Sequence, residues 1–107
     1  HATREIVRLN GLTLVISTGE RVPLTHVPFS IGRGEGCDLV IPSLAVSRHH
    51  AEIRASSNGV LLLVDSGSRN GIESNGERVQ QLELRPGTRF VLGDTTLELM
   101  RLVRRNG

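Results

Sequence analysis

The most informative part of the sequence is residues 60–76, which read VLLLVDSGSRNGIESNG. The apolar run from Leu61 to Val64 has the length of a strand, and its continuity indicates a strand that is buried on both faces. The Asn70-Gly71 and Asn75-Gly76 dipeptides favour tight turns, because both residue types tolerate positive φ. A buried strand followed closely by turns is typical of an all-β domain with short connections.

Short apolar runs separated by turn residues continue in both directions along the chain. Asn10-Gly11, Asn58-Gly59, Pro86-Gly87 and Gly93-Asp94 predict further turns. The final run from Thr95 contains helix-favouring residues, but its all-β neighbours favour a strand. The spacing predicts a β-sandwich or barrel. The predicted strands are Glu5 to Leu9, Leu12 to Ile16, Arg21 to Leu24, Phe29 to Gly32, Asp38 to Ile41, His49 to Arg54, Val60 to Asp65, Arg78-Val79, Gln81 to Leu84, Arg89 to Leu92 and Thr95 to Val103.

The length of the chain indicates the number of domains, and its charge indicates the kind of partner. The chain has 107 residues, which is the size of one ordinary domain, so residues 1–107 are predicted to be a single domain. All 13 basic residues are arginine, a composition that suggests a GC-rich bacterial genome, and the net charge is only +2. Arginine suits phosphate because its planar guanidinium grips two oxygens at once. The low net charge and the absence of Tyr and Trp argue against nucleic-acid binding, since few bases could stack on the surface.

Cysteine content and hydropathy bear on the compartment. Cys37 is the only cysteine, so no disulfide can form within the chain, which fits a reducing compartment. We expect its thiol to be a small buried apolar group rather than a reactive one. No apolar run approaches the ~20 residues that cross a bilayer, and the N-terminus has no signal-peptide pattern. The sequence therefore predicts a cytoplasmic protein without a membrane partner.

Three loops contain most of the polar side chains that could bind a ligand: residues 32–36, 42–50 and 65–71. The first has alternating glycines, but a strand rather than a helix follows it and no lysine is present, which excludes dinucleotide-binding and Walker-type loops. A β-sandwich gathers its loops at its two ends. We therefore expect Arg33, Ser47, Arg48 and Asn70 to meet at one apex, where their donors favour an anion.

Metal and catalytic sites are not predicted. His49 and His50 are adjacent, so on a strand their side chains point to opposite faces, and no third ligand has a suitable spacing. Ser47, His50 and Asp65 are the residue types of a hydrolase triad, but no nucleophile-elbow motif surrounds the serine. Asp65 is better interpreted as a turn residue whose carboxylate accepts local backbone N–H groups. We expect no enzyme activity and no cofactor.

The order and spacing of the motifs resemble the forkhead-associated (FHA) domain family. The matching motifs are Gly32-Arg33, Ser47-Arg48-His49-His50, Gly67 to Gly71 and Asn75-Gly76, and the resemblance runs from about Phe29 to Val79. It implies an all-β fold, a two-sheet β-sandwich of about eleven strands. It also implies binding of phosphothreonine peptides through loops at one apex.

The resemblance further implies a role for each matched residue. Arg33, Ser47 and Arg48 would bind the phosphate, and Asn70 would hydrogen-bond the peptide main chain. The residues that would support the loops are Gly32, His50 and Gly71. Arg69 stands where the family often has Ser or Thr, and it is a candidate accessory contact. Ile72 and Glu73 stand where the family commonly has Thr and an aromatic residue, and we expect these departures to bear on peptide selectivity more than on phosphate binding.

The function implied is a phosphothreonine-dependent binding module in Ser/Thr-kinase signalling, expected to be a fragment of a larger signalling protein. The alternative is a phosphate-independent interaction or self-association module on the same scaffold. The long apolar closing strand is compatible with both, because it could be an edge that pairs with another copy or a strand covered by its neighbours.

Overall fold

The computed structural model describes residues 8–102, in which eleven strands and no helix are found. The all-β prediction is therefore confirmed. The strands are β1 (Leu12–Ile16), β2 (Arg21–Pro23), β3 (Phe29–Gly32), β4 (Leu39–Val40), β5 (Ala51–Ala55), β6 (Leu61–Asp65), β7 (Ile72–Ser74), β8 (Glu77–Val79), β9 (Gln81–Leu84), β10 (Arg89–Leu92) and β11 (Thr95–Arg101). No helix in this part of the chain is long and apolar enough to cross a membrane.

The strands form two sheets that pack face to face. One has six strands in the order β2-β1-β11-β10-β7-β8, and the other has five in the order β4-β3-β5-β6-β9. Neighbours are antiparallel except β3 and β4, which are parallel. The closing strand β11 pairs with β1 on one side and β10 on the other, so it is an interior strand. The edge alternative for this strand is wrong.

The core lies between the two sheets and is aliphatic apart from Phe29 and Phe90. Inward-facing residues alternate with outward-facing ones along each long strand, as the two-residue repeat of a strand requires. In β11, for example, Thr95, Leu97 and Leu99 are buried, whereas Thr96 is exposed and Glu98 is half-buried. This packing provides a rigid base for the loops.

Strand β6 is buried on one face only, which corrects the prediction made from its apolar run. Leu63 is fully buried, but Leu62 is half-buried. The cross-strand neighbours of Leu62 are Arg54 and Glu83, both exposed charged residues, so this face of β6 lies at the surface. A run of apolar letters does not reveal that one face has charged neighbours.

Other differences concern strand boundaries and turns. Strand β7 was not predicted, because its three residues have no alternating apolar pattern and pair only with β8 and β10. Of the predicted strand Glu5 to Leu9, residues 5–7 lie outside the described residues, and residues 8 and 9 are not in a strand. Val103, the last residue of the predicted closing strand, also lies outside the described residues. Only Asn75-Gly76 has positive φ at both residues, at 52° and 80°. The other described Asn-Gly turns use positive φ at the glycine alone.

Candidate functional site

The loop after β3 and the loop before β5 lie side by side at one end of the sandwich. The Arg33 N–H donates to the Ser47 carbonyl oxygen at 2.9 Å, and the Gly34 N–H donates to the Arg48 carbonyl oxygen at 3.1 Å. A side chain at Gly32 would overlap that Arg48 carbonyl oxygen, so only glycine permits this approach. The two loops are thereby held in register, with Arg33 opposite the Ser47-Arg48 pair.

The Arg33 side chain is half-buried and is oriented by the opposite loop. Its Nε donates to the Val46 carbonyl oxygen at 3.1 Å. Among the described residues, no carboxylate oxygen lies within 4.0 Å of its guanidinium, and no protein acceptor bonds its Nη groups. An arginine fixed through Nε presents its two Nη groups as a preformed donor pair.

Ser47 joins the loop before β5 to the loop between β6 and β7. Its Oγ accepts a hydrogen bond from the Arg69 N–H at 3.0 Å. A hydroxyl that already accepts from a backbone N–H keeps its own proton for another acceptor. Ser47 is therefore set to donate to a ligand. Arg48, the next residue, is exposed, and its side chain has no hydrogen-bond partner among the described residues.

Asn70 braces the same two loops by its side chain. Its Nδ2 donates to the Ala45 carbonyl oxygen at 2.7 Å. This use of the amide was not predicted, and it leaves the Asn70 Oδ1 and one N–H for a ligand. Sequence reasoning assigned Asn70 only to peptide contact, because no sequence pattern shows which carbonyl lies beside an exposed amide.

His50 is fully buried beneath the loops and connects them from below. Its Nδ1 accepts from the Ser47 N–H at 3.0 Å, and its Nε2 bonds to the Gly71 carbonyl oxygen at 2.7 Å. Since the first partner is a donor and the second an acceptor, the imidazole is neutral with its proton on Nε2. His50 thus contacts the Ser47 main chain and not its hydroxyl, which is incompatible with a Ser-His nucleophile pair.

Asp65 and Ser68 organise the loop between β6 and β7. The Asp65 carboxylate accepts from the N–H groups of Gly67 and Ser68, each at 3.2 Å, as predicted for a turn residue. Ser68 also donates its hydroxyl to Asp65 and accepts from the Gly71 N–H at 2.8 Å. Ser68 was not predicted as a loop-supporting residue, although it lies within the Gly67 to Gly71 motif.

A fourth loop, the turn between β10 and β11, supports the apex from the side. Ser43 donates its hydroxyl to Asp94 Oδ1 at 2.7 Å and accepts from the Ala45 N–H at 3.2 Å. The hydrogen bond from Ser43 holds the pKa of Asp94 below its ordinary value. Sequence analysis missed this contact, because its partners are 51 residues apart.

The arginines at the apex form no ion pairs with the described residues. Arg33, Arg48, Arg69 and Arg78 have no carboxylate within 4.0 Å among the described residues, whereas Arg54, Arg85 and Arg89 each pair with a glutamate. An open depression lined by Arg33, Gly34, Glu35 and Arg48 lies between the first two loops. Arginine donors that are not already paired with a carboxylate favour an anion. No group of three or more metal-ligating side chains is found in residues 8–102.

The family model described as FHA domain matches residues 29–93, a stretch that contains the first three of these loops and reaches the start of the fourth. The chain belongs to the FHA domain family. The match extends beyond the predicted range of Phe29 to Val79 and ends at Gly93, one residue before Asp94. FHA domains are recognition modules rather than enzymes.

Two curated relatives have mycobacterial sources. The FHA domain-containing protein FhaA of Mycobacterium tuberculosis is 39% identical over 67 residues, which are 63% of this chain and 12% of FhaA. The glycogen accumulation regulator GarA of Mycolicibacterium smegmatis is 35% identical over 77 residues, which are 72% of this chain and 48% of GarA. This FHA chain therefore spans about half or less of the length of these relatives.

A solved structure from a structural and functional analysis of phosphothreonine-dependent FHA domain interactions has the same fold. It superposes with a TM-score of 0.76 at 32% sequence identity and covers 87% of this chain and 98% of that one. The prediction of a two-sheet FHA-type β-sandwich is confirmed by this similarity together with the two sheets described above.

Proposed function

We propose that this FHA domain binds partner proteins through a phosphothreonine. Arg33, Ser47 and Arg48 contact the phosphate, and Asn70 contacts the main chain of the bound peptide. The observation that carries the proposal is the Arg33 guanidinium, which is fixed through Nε and has no carboxylate beside it. The hydroxyl of Ser47 lies on the adjoining loop with its proton free to donate.

The chemistry of these groups matches a phosphate ester. Phosphothreonine carries a charge of about −1.5 to −2 and three acceptor oxygens. Hydrogen bonds to a charged group contribute about 1.5–3 kcal/mol each, whereas micromolar affinity requires about 8 kcal/mol in addition to the costs of association. Phosphate contacts alone supply too little, so contacts from Asn70 to the peptide backbone are required as well.

Similarity supports phosphothreonine as the modified residue. The solved relative belongs to work on phosphothreonine-dependent interactions of FHA domains. Because Ser/Thr kinases produce phosphothreonine, the partner is placed in a Ser/Thr-kinase pathway. Arg69 is an accessory candidate, since its N–H holds Ser47 while its side chain is exposed. The proposal involves no catalytic step, cofactor, metal, nucleic acid or membrane.

The context of the domain also stays a proposal. We place the domain in the cytoplasm, which the free and buried thiol of Cys37 supports. That residues 1–107 are one domain of a larger signalling protein stays a prediction.

The test is a calorimetric titration with a degenerate phosphothreonine peptide library, beside phosphoserine and unphosphorylated versions of the same library. Wild type should bind only the phosphorylated peptides and prefer phosphothreonine. Arg33→Ala should lose at least tenfold in affinity, because one charge-assisted contact contributes about 1.5–3 kcal/mol. Arg21→Ala is the matched control, since Arg21 is an exposed arginine in β2 at the far edge of the six-stranded sheet.

A second variant, Ser47→Ala, shows whether an effect of Arg33→Ala comes from lost phosphate contact or from a change in structure. Arg33→Ala also removes the hydrogen bond to Val46, so Ser47→Ala is titrated in parallel, and melting temperatures are recorded for every variant. Wild-type affinity in a folded Arg33→Ala protein would contradict the role of Arg33. Wild-type binding that ignores phosphate would favour the phosphate-independent interaction module instead.

A further inference from the structure

Arg78 in β8 has no role in the sites considered above, yet its side chain lies at the apex. Its Nη2 reaches the Arg69 carbonyl oxygen at 3.4 Å. Its guanidinium also lies against Gly71, where any Cβ would overlap it. The glycine after Asn70 therefore gives Arg78 the space to approach the loop between β6 and β7.

Arg78 reaches the backbone of Arg69, and neither arginine is in an ion pair with a described residue. Both side chains are exposed. The acidic groups nearest in the sheet are Glu73, the cross-strand neighbour of Arg78, and Glu77, the preceding residue. Neither carboxylate lies within 4.0 Å of a guanidinium, since the ion pairs of the described residues lie elsewhere. An anion placed beside these unpaired cationic groups would be attracted to both.

Most of the donors in this pair are unused. A guanidinium has five N–H donors, and Arg78 uses one of them in a single long hydrogen bond. An exposed contact of this kind adds little to stability. The remaining N–H groups form a planar fork that suits a carboxylate or a phosphate.

We propose that Arg69 and Arg78 form a second anion subsite, which recognises an acidic group on the same peptide. This inference rests on the phosphothreonine-binding function proposed above. The Arg69 N–H bonds to Ser47, so the second subsite adjoins the phosphate contacts. An extended peptide advances ~3.3–3.6 Å per residue, which places the acidic group within about three residues of the phosphothreonine. The group is a Glu or Asp carboxylate or a second phosphate.

The test is a phosphothreonine peptide scan in which each flanking position carries Glu, Gln or phosphoserine in turn. Wild type should prefer Glu over Gln at one or two positions by on the order of fivefold, the upper range for an exposed ion pair. In Arg78→Gln this ratio should fall to about one. Arg21→Gln is the control, because it removes one exposed arginine at the opposite edge of the same sheet and should keep the wild-type ratio.

The outcomes separate the two proposals. Phosphate-dependent binding with no acidic preference in wild type, or an unchanged Glu-to-Gln ratio in Arg78→Gln, overturns the second subsite alone. Binding that ignores the phosphothreonine overturns the proposed function and the subsite with it. A clear gain for phosphoserine over Glu identifies a doubly phosphorylated partner, and equal affinity identifies an acidic one.

Discussion

At the scale of single residues, the apex depends on side chains that hold loops as well as on those that face a ligand. His50, Asn70 and Ser68 each connect two backbone segments, and His50 does so while fully buried. A buried polar group with both partners in place is stable, but its loss leaves those partners unsatisfied. The loops that present the binding residues are thus held by these side chains, of which Asn70 is also proposed to contact the ligand.

Replacing His50 should destabilise the fold. His50→Ala leaves the Ser47 N–H and the Gly71 carbonyl without their partner and opens a cavity, at a cost of about 2–4 kcal/mol in the free energy of unfolding. His49→Ala is the control in the adjacent residue, because His49 is exposed. Urea unfolding measures both. Equal stability of the two variants would contradict the supporting role of His50.

At the scale of elements, the loop between β3 and β4 is fixed at both ends and has open space around Gly36. Gly32 lies against the Arg48 carbonyl, whereas a Cβ at Gly36 would meet no atom within 4 Å. The same loop is tied at its far end by Asp38, whose Oδ2 accepts from the Ser30 N–H at 2.9 Å and from its hydroxyl at 3.1 Å. Arg33 lies between these two anchors.

The two glycines should respond differently to one substitution. Gly32→Ala forces the loops apart, and overpacking of this kind costs about 1–3 kcal/mol. The displacement also moves Arg33 away from Ser47, so phosphopeptide affinity should fall. Gly36→Ala should retain both properties. Thermal melting and peptide titration of the pair provide the measurement, and a tolerated Gly32→Ala would show that the loops do not need this close approach.

The Asp38 anchor should give the domain an acid-sensitive component of stability. The hydrogen bond from the Ser30 N–H holds the pKa of Asp38 below its ordinary value of 3.8. A carboxyl whose pKa is lower in the folded state stabilises the fold above the unfolded pKa, and the contribution is lost as pH falls through the folded pKa. Asp38→Asn should therefore be less stable than wild type near neutral pH.

The difference between wild type and Asp38→Asn should close as the pH is lowered below 3.8. Urea unfolding of both proteins from about pH 6 down to about pH 2.5 measures it. Glu20→Gln, at an exposed turn between β1 and β2, is the control for loss of one surface carboxylate. A difference that stays constant over this range would contradict the ionic origin of the anchor.

At the scale of the whole molecule, a small aliphatic core supports a polar apex. Two sheets bury leucine, isoleucine and valine side chains with only two phenylalanines among them. Each close-packed side chain therefore contributes much of the stability that keeps the loops in place. An exposed side chain contributes little to stability, and Leu44 in the loop before β5 is 92% exposed.

Replacing a core leucine and a surface leucine with alanine should have different effects on stability. Leu63→Ala removes a fully buried side chain, and we expect a loss of about 2–5 kcal/mol in the free energy of unfolding. Leu44→Ala should change it by no more than about 0.5 kcal/mol. Chemical denaturation compares the two, and a Leu63→Ala protein with near wild-type stability would show that the core repacks.

The sequence by itself determined the class of fold, most strand positions and the loops that carry the candidate residues. It could do so because these properties are local. Side chains of a strand alternate between two faces every two residues, and an Asn-Gly or Pro-Gly turn is complete within four residues. The motif from Gly67 to Gly71 and the Ser47-Arg48 pair likewise carry their information in adjacent residues.

The tertiary structure alone decided which groups meet. Sequence could not show that Leu62 faces charged neighbours, that β11 is an interior strand, or that Ser43 reaches Asp94 across 51 residues. Nor could it place Arg78 beside Gly71. Such contacts depend on strand order and register, which arise from packing the two sheets together and leave no periodic trace in the chain.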